Sequence, residues 1–223
     1  MDTSEVTLQD IKQHPQAEAY IRVGNEHLGA LGFTEHGFRH AALVATIARQ
    51  IIQRLGYGER LSELAAIAGY LHDIGNVVSR QQHGQTGAMI AMHMLEDMGL
   101  PYDEVAAICA AIGNHEEEYG EPVNQVAAAL ILADKSDVHR SRVRNPEFAT
   151  FDIHDRVNYA ATHSFLRVDE ATRLATLELT IDSEVSSIMD YFEIFLTRMV
   201  MCRRAAGVLD ATFSIVINGS KLL

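Results

Sequence analysis

The stretch ERLSELAAIAGYLHDIG, residues 59–75, decides how this chain is read. Leu61, Leu64, Ala65, Ala68 and Leu71 recur three and four residues apart, the spacing of one face of a helix. The pattern gives out at His72-Asp73, and Ile74-Gly75 follows at once. Neighbouring residues on a regular helix point about 100° apart. At a helix end, before a glycine that lets the backbone turn, both side chains can converge on one site.

Working outward, the same periodicity predicts further helices. Residues 38–55 carry Leu43, Ile47, Ile51 and Leu55 at helical spacing and stop at Gly56. Pro15 suits the first turn of a helix ending near Gly29 or Gly32. Downstream, helices are expected over 84–98, 103–112 and 123–138, with a short one around 154–161 after the break at Asn145-Pro146. The Met-rich run 89–98 reads as core packing. Cys109 and Cys202 read as small core residues rather than a disulfide.

Beyond residue 163 the period changes. Leu174, Thr176, Glu178 and Thr180 alternate with Ala175, Leu177, Leu179 and Ile181, so 173–182 reads as a strand, with 164–168 as its partner. Ser183 is expected to cap a helix running from 184 to about 204, and 211–217 alternates again as a last strand. The fold class is therefore mainly α: a helical bundle over 1–163 and a small C-terminal α+β appendage (strand-strand-helix-strand) over 164–223.

Eleven histidines is a high count for 223 residues, and their placement matters more than their number. His40, His72, His83 and His115 each lie at or near the end of an expected helix. Asp134 stands inside the otherwise apolar run Ala127-Ala128-Ala129-Leu130-Ile131-Leu132-Ala133. A buried carboxylate without a partner costs several kcal/mol, and a metal ion is one partner that fits. Bundles commonly hold one or two ions with ligands drawn from several helices. Mixed imidazole and carboxylate ligands suit Fe, Mn, Zn, Ni or Co rather than Ca. A carboxylate such as Asp73 can bridge two ions.

The ordered set His40, His72-Asp73, His83, His115, Asp134 resembles the HD-domain metal-dependent phosphohydrolases. His72-Asp73-Ile74-Gly75, His83-Gly84-Gln85-Thr86-Gly87-Ala88 and Ala133-Asp134-Lys135 carry the likeness, which covers roughly 33–144. The resemblance implies an HD-type helical bundle. It implies a core metal site of His40, His72, Asp73 and Asp134, and a second metal on His83 and His115 with Asp73 bridging. The expected cofactor is one or two divalent transition metal ions, Fe or Mn ahead of Zn, Ni or Co. Family members hydrolyse phosphomonoesters, phosphodiesters or nucleotide phosphates, and a few are two-iron oxygenases. The branch that cleaves cyclic dinucleotides carries paired histidines and a Gly-Tyr-Pro segment. Here Asn114 precedes His115, and the loop reads Glu116-Glu117-Glu118-Tyr119-Gly120.

Lys135, His139, Arg140, Arg142 and Arg144 follow Asp134 closely, and on a continued helix Lys135, His139 and Arg142 would share a face. Arginine forks suit phosphate oxygens, so these five are expected to bind a substrate phosphate. Lys135 would also balance charge developing in the reaction. Asp73 is the expected catalytic carboxylate. His36, four residues before His40, can line the pocket and take a proton. The expected reaction is attack of a metal-bound hydroxide on the phosphorus of a small phosphorylated molecule, a nucleotide or phosphodiester. The rivals are a two-iron oxygenase on the same scaffold and a non-catalytic metal-containing binding module.

With 18 Lys and Arg against 30 Asp and Glu, the formal charge is −12. Such a chain repels nucleic acid polymers and anionic membranes at long range. No apolar run approaches the ~20 residues needed to span a bilayer, and residues 1–10 do not read as an export signal. The expected location is cytoplasmic. The appendage's open strand edges point to pairing across a homodimer.

Overall fold

The computed structural model describes residues 5–222. Residues 1–4 and 223, which fall within the expected domain ranges and, at the N-terminus, within the stretch read as lacking an export signal, lie outside the described residues. Among the described residues, no helix is long and apolar enough to cross a membrane.

The bundle comprises α1 (Leu8–Gln13), α2 (Pro15–Ala30), α3 (Phe38–Arg54), α4 (Glu59–Leu71), α5 (His83–Asp97), α6 (Tyr102–Gly113), α7 (Gln125–Lys135) and α8 (Ile153–Ala160). Pro15 opens α2 as expected, because its missing N–H costs nothing in a first turn. Helix α7 is the axis of the molecule. Every residue from Val126 to Ala133 is buried, and the helix packs against α3, α4 and α6. Helices α3 and α4 meet closely because position 69 is glycine: a Cβ there would stand 2.8 Å from the Ala45 Cα. Of the Met-rich run, Met94 is fully buried but Met89 is exposed at the surface, so only part of it is core.

The chain then forms β1 (Ala161–Asp169), β2 (Leu174–Ile181), α9 (Ile188–Val208), β3 (Thr212–Ile217) and β4 (Ser220–Lys221). Strand order is β1-β2-β3-β4. β1 and β2 form an antiparallel hairpin, β2 and β3 run parallel across the α9 crossover, and β4 folds back on β3. This is the small α+β unit that the alternation predicted, except that β1 starts at Ala161, so the expected boundary at 163/164 falls within a strand.

Two expected boundaries move for local reasons. Helix α9 is capped by Ser187, not Ser183. A capping box needs an acid three residues on. Ser187 has Asp190 there, whose Oδ2 accepts from the Ser187 N–H at 3.0 Å, whereas Ser183 has only Ser186. Helix α7 ends at Lys135, short of the expected 138. There the Ser136 hydroxyl donates to the Ala133 carbonyl at 2.7 Å, and the chain leaves the helix.

Candidate metal centre

Six side chains from five places in the sequence converge at the open end of the bundle. His40 comes from the first turn of α3, and His72 and Asp73 from the turn after α4. His83 opens α5, His115 follows α6, and Asp134 closes α7. The glycine after the His-Asp pair has a definite task. A Cβ on Gly75 would come 2.0 Å from the His83 carbonyl oxygen and 2.6 Å from the Gly87 N, so only glycine lets the turn press against α5.

His40 Nε2 lies 3.2 Å from His72 Nε2 and 3.3 Å from Asp134 Oδ1. Asp73 Oδ2 lies 3.2 Å from His72 Nε2 and 3.6 Å from His40 Nε2. The other oxygen, Oδ1, lies 3.2 Å from His83 Nε2 and 4.0 Å from His115 Nε2, and these two nitrogens are 3.1 Å apart. Asp73 thus stands between two pairs of imidazoles and offers one oxygen to each.

All four imidazoles turn Nδ1 outward. His72, His83 and His115 donate from Nδ1 to the carbonyls of Gly69, Arg80 and Ile112 at 2.8, 3.0 and 2.6 Å. His40 donates to Asp137 Oδ2 at 2.7 Å. A carbonyl only accepts, so Nδ1 carries the proton and Nε2 presents a lone pair inward. Lone pairs opposed at about 3 Å repel unless a proton or a metal ion lies between them, and Asp73 Oδ2 is buried with no hydrogen-bond partner of its own. The residues present therefore fit divalent metal. Outward Nδ1–H bonds to carbonyls and carboxylates are the usual support of ligating histidines.

The electrostatics favour a cation at this centre. Burial opposes charge on His72, but Asp73 and Asp134 outweigh it and push its pKa up to about 10. Burial, with the His83 and His72 cations beside it, pushes His115 down to about 3. Burial also works against ionised Asp73 and Asp134, yet the imidazoles, and Lys135 for Asp134, hold both well below the usual carboxylate range. The carboxylates thus draw positive charge into the centre: without a metal they hold a proton on His72, and a divalent cation would take that proton's place.

Asp137, absent from the expected site, supports it. It accepts from His40 and from Arg39 (Nη2 at 2.9 Å), with Arg142 Nε 3.7 Å away. The signal was its position three residues after Asp134, beyond an early helix end. Asp137→Asn keeps the shape and removes the charge behind His40. We expect metal affinity to fall roughly 10- to 100-fold, read by competition with a chromophoric chelator. Unchanged affinity would count against this role.

The basic segment is split. Lys135 is buried 2.6 Å from Asp134 Oδ2 and 3.2 Å from Glu117 Oε1, and it lines the cavity of about 560 Å³ above the centre. Arg142 is buried and lines the same cavity, though it donates to the Glu35 and Asp137 carbonyls. The others lie elsewhere. His139 reaches Thr162 O at 3.2 Å, Arg140 lies over the Tyr159 ring, and Arg144 sits against Gly29 and Asn25. The helix face expected for Lys135, His139 and Arg142 does not form, because α7 ends at Lys135.

Arg198, which the sequence reading missed, enters this cavity from α9. It stacks on Phe195 and donates from Nε to Glu117 Oε1 at 2.8 Å. It could have been noticed as a cation on the otherwise apolar face of Tyr191, Phe195 and Cys202. Glu116 and Glu117 of the loop after His115 turn inward. Glu116 Oε1 accepts from the Gly84 N–H at 2.6 Å, and Oε2 lies 3.3 Å from His83 Nδ1. His36 lines the cavity with its ring 5.6 Å from that of His40. Burial and the nearby Arg142 push its pKa well below the usual histidine value. Its Nδ1 donates to Thr34 O at 2.7 Å, which leaves Nε2 as an acceptor.

Residues 37–193 match the family model described as HD domain. The chain is also similar to the uncharacterized protein MJ1020 of Methanocaldococcus jannaschii, 25% identical over 169 residues. That alignment covers 65% of this chain, which spans about 64% of the relative's length.

Proposed function

The chain belongs to the HD-domain family of metal-dependent phosphohydrolases, and from that premise we propose that it hydrolyses a small phosphorylated molecule, a nucleotide or phosphodiester. The observation that carries this reading is Asp73, with one oxygen on the His40–His72 side and the other on the His83–His115 side. His40, His72, Asp73 and Asp134 would hold one divalent transition metal, and His83, His115 and the shared Asp73 a second. Bound there, such ions (Fe or Mn ahead of Zn, Ni or Co) act as Lewis acids and supply hydroxide near neutral pH for attack on phosphorus.

The chain's own residues do the rest. Asp134 divides its oxygens: Oδ1 faces His40 and His72, and Oδ2 holds the Lys135 ammonium at the cavity wall. Lys135 and Arg198, both tethered by Glu117, stand where charge develops on the phosphoryl oxygens and stabilise it without reorganising. His36, whose burial beside Arg142 disfavours the imidazolium, presents a free Nε2 that accepts a hydrogen bond from the attacking water and orients it. The family matches say nothing of phosphate-binding roles for His139, Arg140 and Arg144, and the packing of these residues gives no support to such roles.

Metal analysis of the purified protein, followed by turnover assays on phosphomonoesters, phosphodiesters and nucleotides, tests the proposal. Metal-dependent phosphate release supports it. Oxygen consumption without phosphate release would favour the two-iron oxygenase, although that chemistry has no need of the cavity's cations. Metal content with neither activity would favour a binding module. Strand β1 is an edge of the sheet, and pairing of that edge with a second copy completes the proposal. A monomeric mass by light scattering at micromolar concentration would count against that part.

A further inference from the structure

A second cavity of about 310 Å³ adjoins the first. The two share His36, Arg80, Arg142 and Arg198 as lining residues. The new walls include Leu31, Phe33 and Phe195, which are apolar, and Asp152, Asp155 and Asn158 from the α8 side.

Charge accounting singles out one of the shared residues. Lys135 in the first cavity is engaged by Asp134 and Glu117, Arg198 by Glu117, and Arg142 by Asp137 and two carbonyls. Arg80 is different. Among the described residues its guanidinium makes no ion pair and donates no hydrogen bond; it lies over the Phe33 ring, 5.6 Å from the centroid. Phe33 lines only the second cavity. The Arg80 carbonyl meanwhile accepts from His83 Nδ1, which fixes the residue beside the metal centre. The result is a half-buried fork with unspent donors, placed over an aromatic ring between the two cavities. The carboxylates across the second cavity do not neutralise it. Asp152 accepts from the Asp155 N–H as a helix cap, and Asp155 accepts from Asn145.

We infer that Arg80 is a substrate-selecting residue: its guanidinium binds a second phosphate, carried by the organic part of the ester, in the cavity beside the metal centre. The preferred substrate is then an organic bisphosphate. The reacting phosphoryl group lies over the His/Asp centre, the organic part rests on Leu31, Phe33 and Phe195, and the second phosphate takes the Arg80 fork. This rests on the phosphohydrolase reading of the centre.

The test is equilibrium binding to the Mn-loaded full-length protein by calorimetry, using matched probes: fructose monophosphate against fructose bisphosphate, and a nucleoside monophosphate against the same nucleoside bisphosphate. In at least one pair the wild type should prefer the bisphosphate by roughly 10- to 100-fold, the usual strength of charge-assisted bonds to a fork. Arg80→Ala should erase that preference. Arg80→Lys, which keeps the charge and loses the fork, should retain part of it. The His83 anchor uses the backbone carbonyl, so both variants keep it, and circular dichroism checks their fold. No preference for bisphosphate in either wild-type pair overturns the inference, as does a preference that survives in Arg80→Ala. An Arg80-dependent preference without phosphate release from any probe supports the inference and sinks only the hydrolase reading.

Discussion

Asp73→Ala is expected to strip the protein of its metal and of phosphohydrolase turnover together. The carboxylate stands between two pairs of imidazoles, with one oxygen for each pair. Its loss leaves four inward-facing imidazoles with only Asp134 to balance a cation. Lewis-acid stabilisation by metal amounts to several kcal/mol, and each 1.36 kcal/mol is tenfold in rate, so the fall should be on the order of a thousandfold or more. Asp73→Asn, nearly isosteric, should give the same loss with an unchanged circular dichroism spectrum, which separates lost ligation from lost folding. The measurements are metal content by mass spectrometry and steady-state rate. A variant with full metal content and an undiminished rate would falsify the assignment.

The second large effect is on stability. Gly75→Ala puts a methyl group 2.0 Å from the His83 carbonyl oxygen and 2.6 Å from the Gly87 N. Both obstacles are backbone at the start of α5, so no side chain can swing aside. Overpacking of this kind costs roughly 1–3 kcal/mol and more where backbone must shift, and we expect the upper end, about 3 kcal/mol. For a chain of this size, that lowers the midpoint of thermal unfolding by roughly 6–12 °C. Because the displaced peptide belongs to His83, weaker metal retention should accompany the loss. A melting temperature within about 2 °C of the wild type would show that the turn yields at little cost.

How much of this could be read from the chain follows the range of the forces involved. The six inward-facing residues could be picked out because each breaks a local rule. Asp134 interrupts an apolar helix, and the four histidines sit at or near helix ends. The support was less visible. Asp137 matters through His40, 97 positions away in sequence, and Arg198 matters through Glu117, 81 positions away. Neither breaks a local pattern strongly enough to announce a partner. The expected face shared by Lys135, His139 and Arg142 failed for a small reason, a helix that ends three residues early at Ser136. A few residues of helix decide where every later side chain points, and helix ends are set by weak competing hydrogen bonds.

The amino-acid sequence by itself determined the helical bundle, the change of period beyond residue 163 to a small sheet unit, the family and the candidate metal-binding histidines and aspartates. Periodicity and hydrogen-bonding chemistry are properties of neighbouring residues, and they survive without knowledge of the fold. Only the tertiary structure decided which oxygen of Asp73 meets which pair of imidazoles, which cations are already neutralised, and that Arg80 is left with its donors unspent among the described residues. Those are matters of distance between segments far apart along the chain, and packing sets them where no local pattern records them.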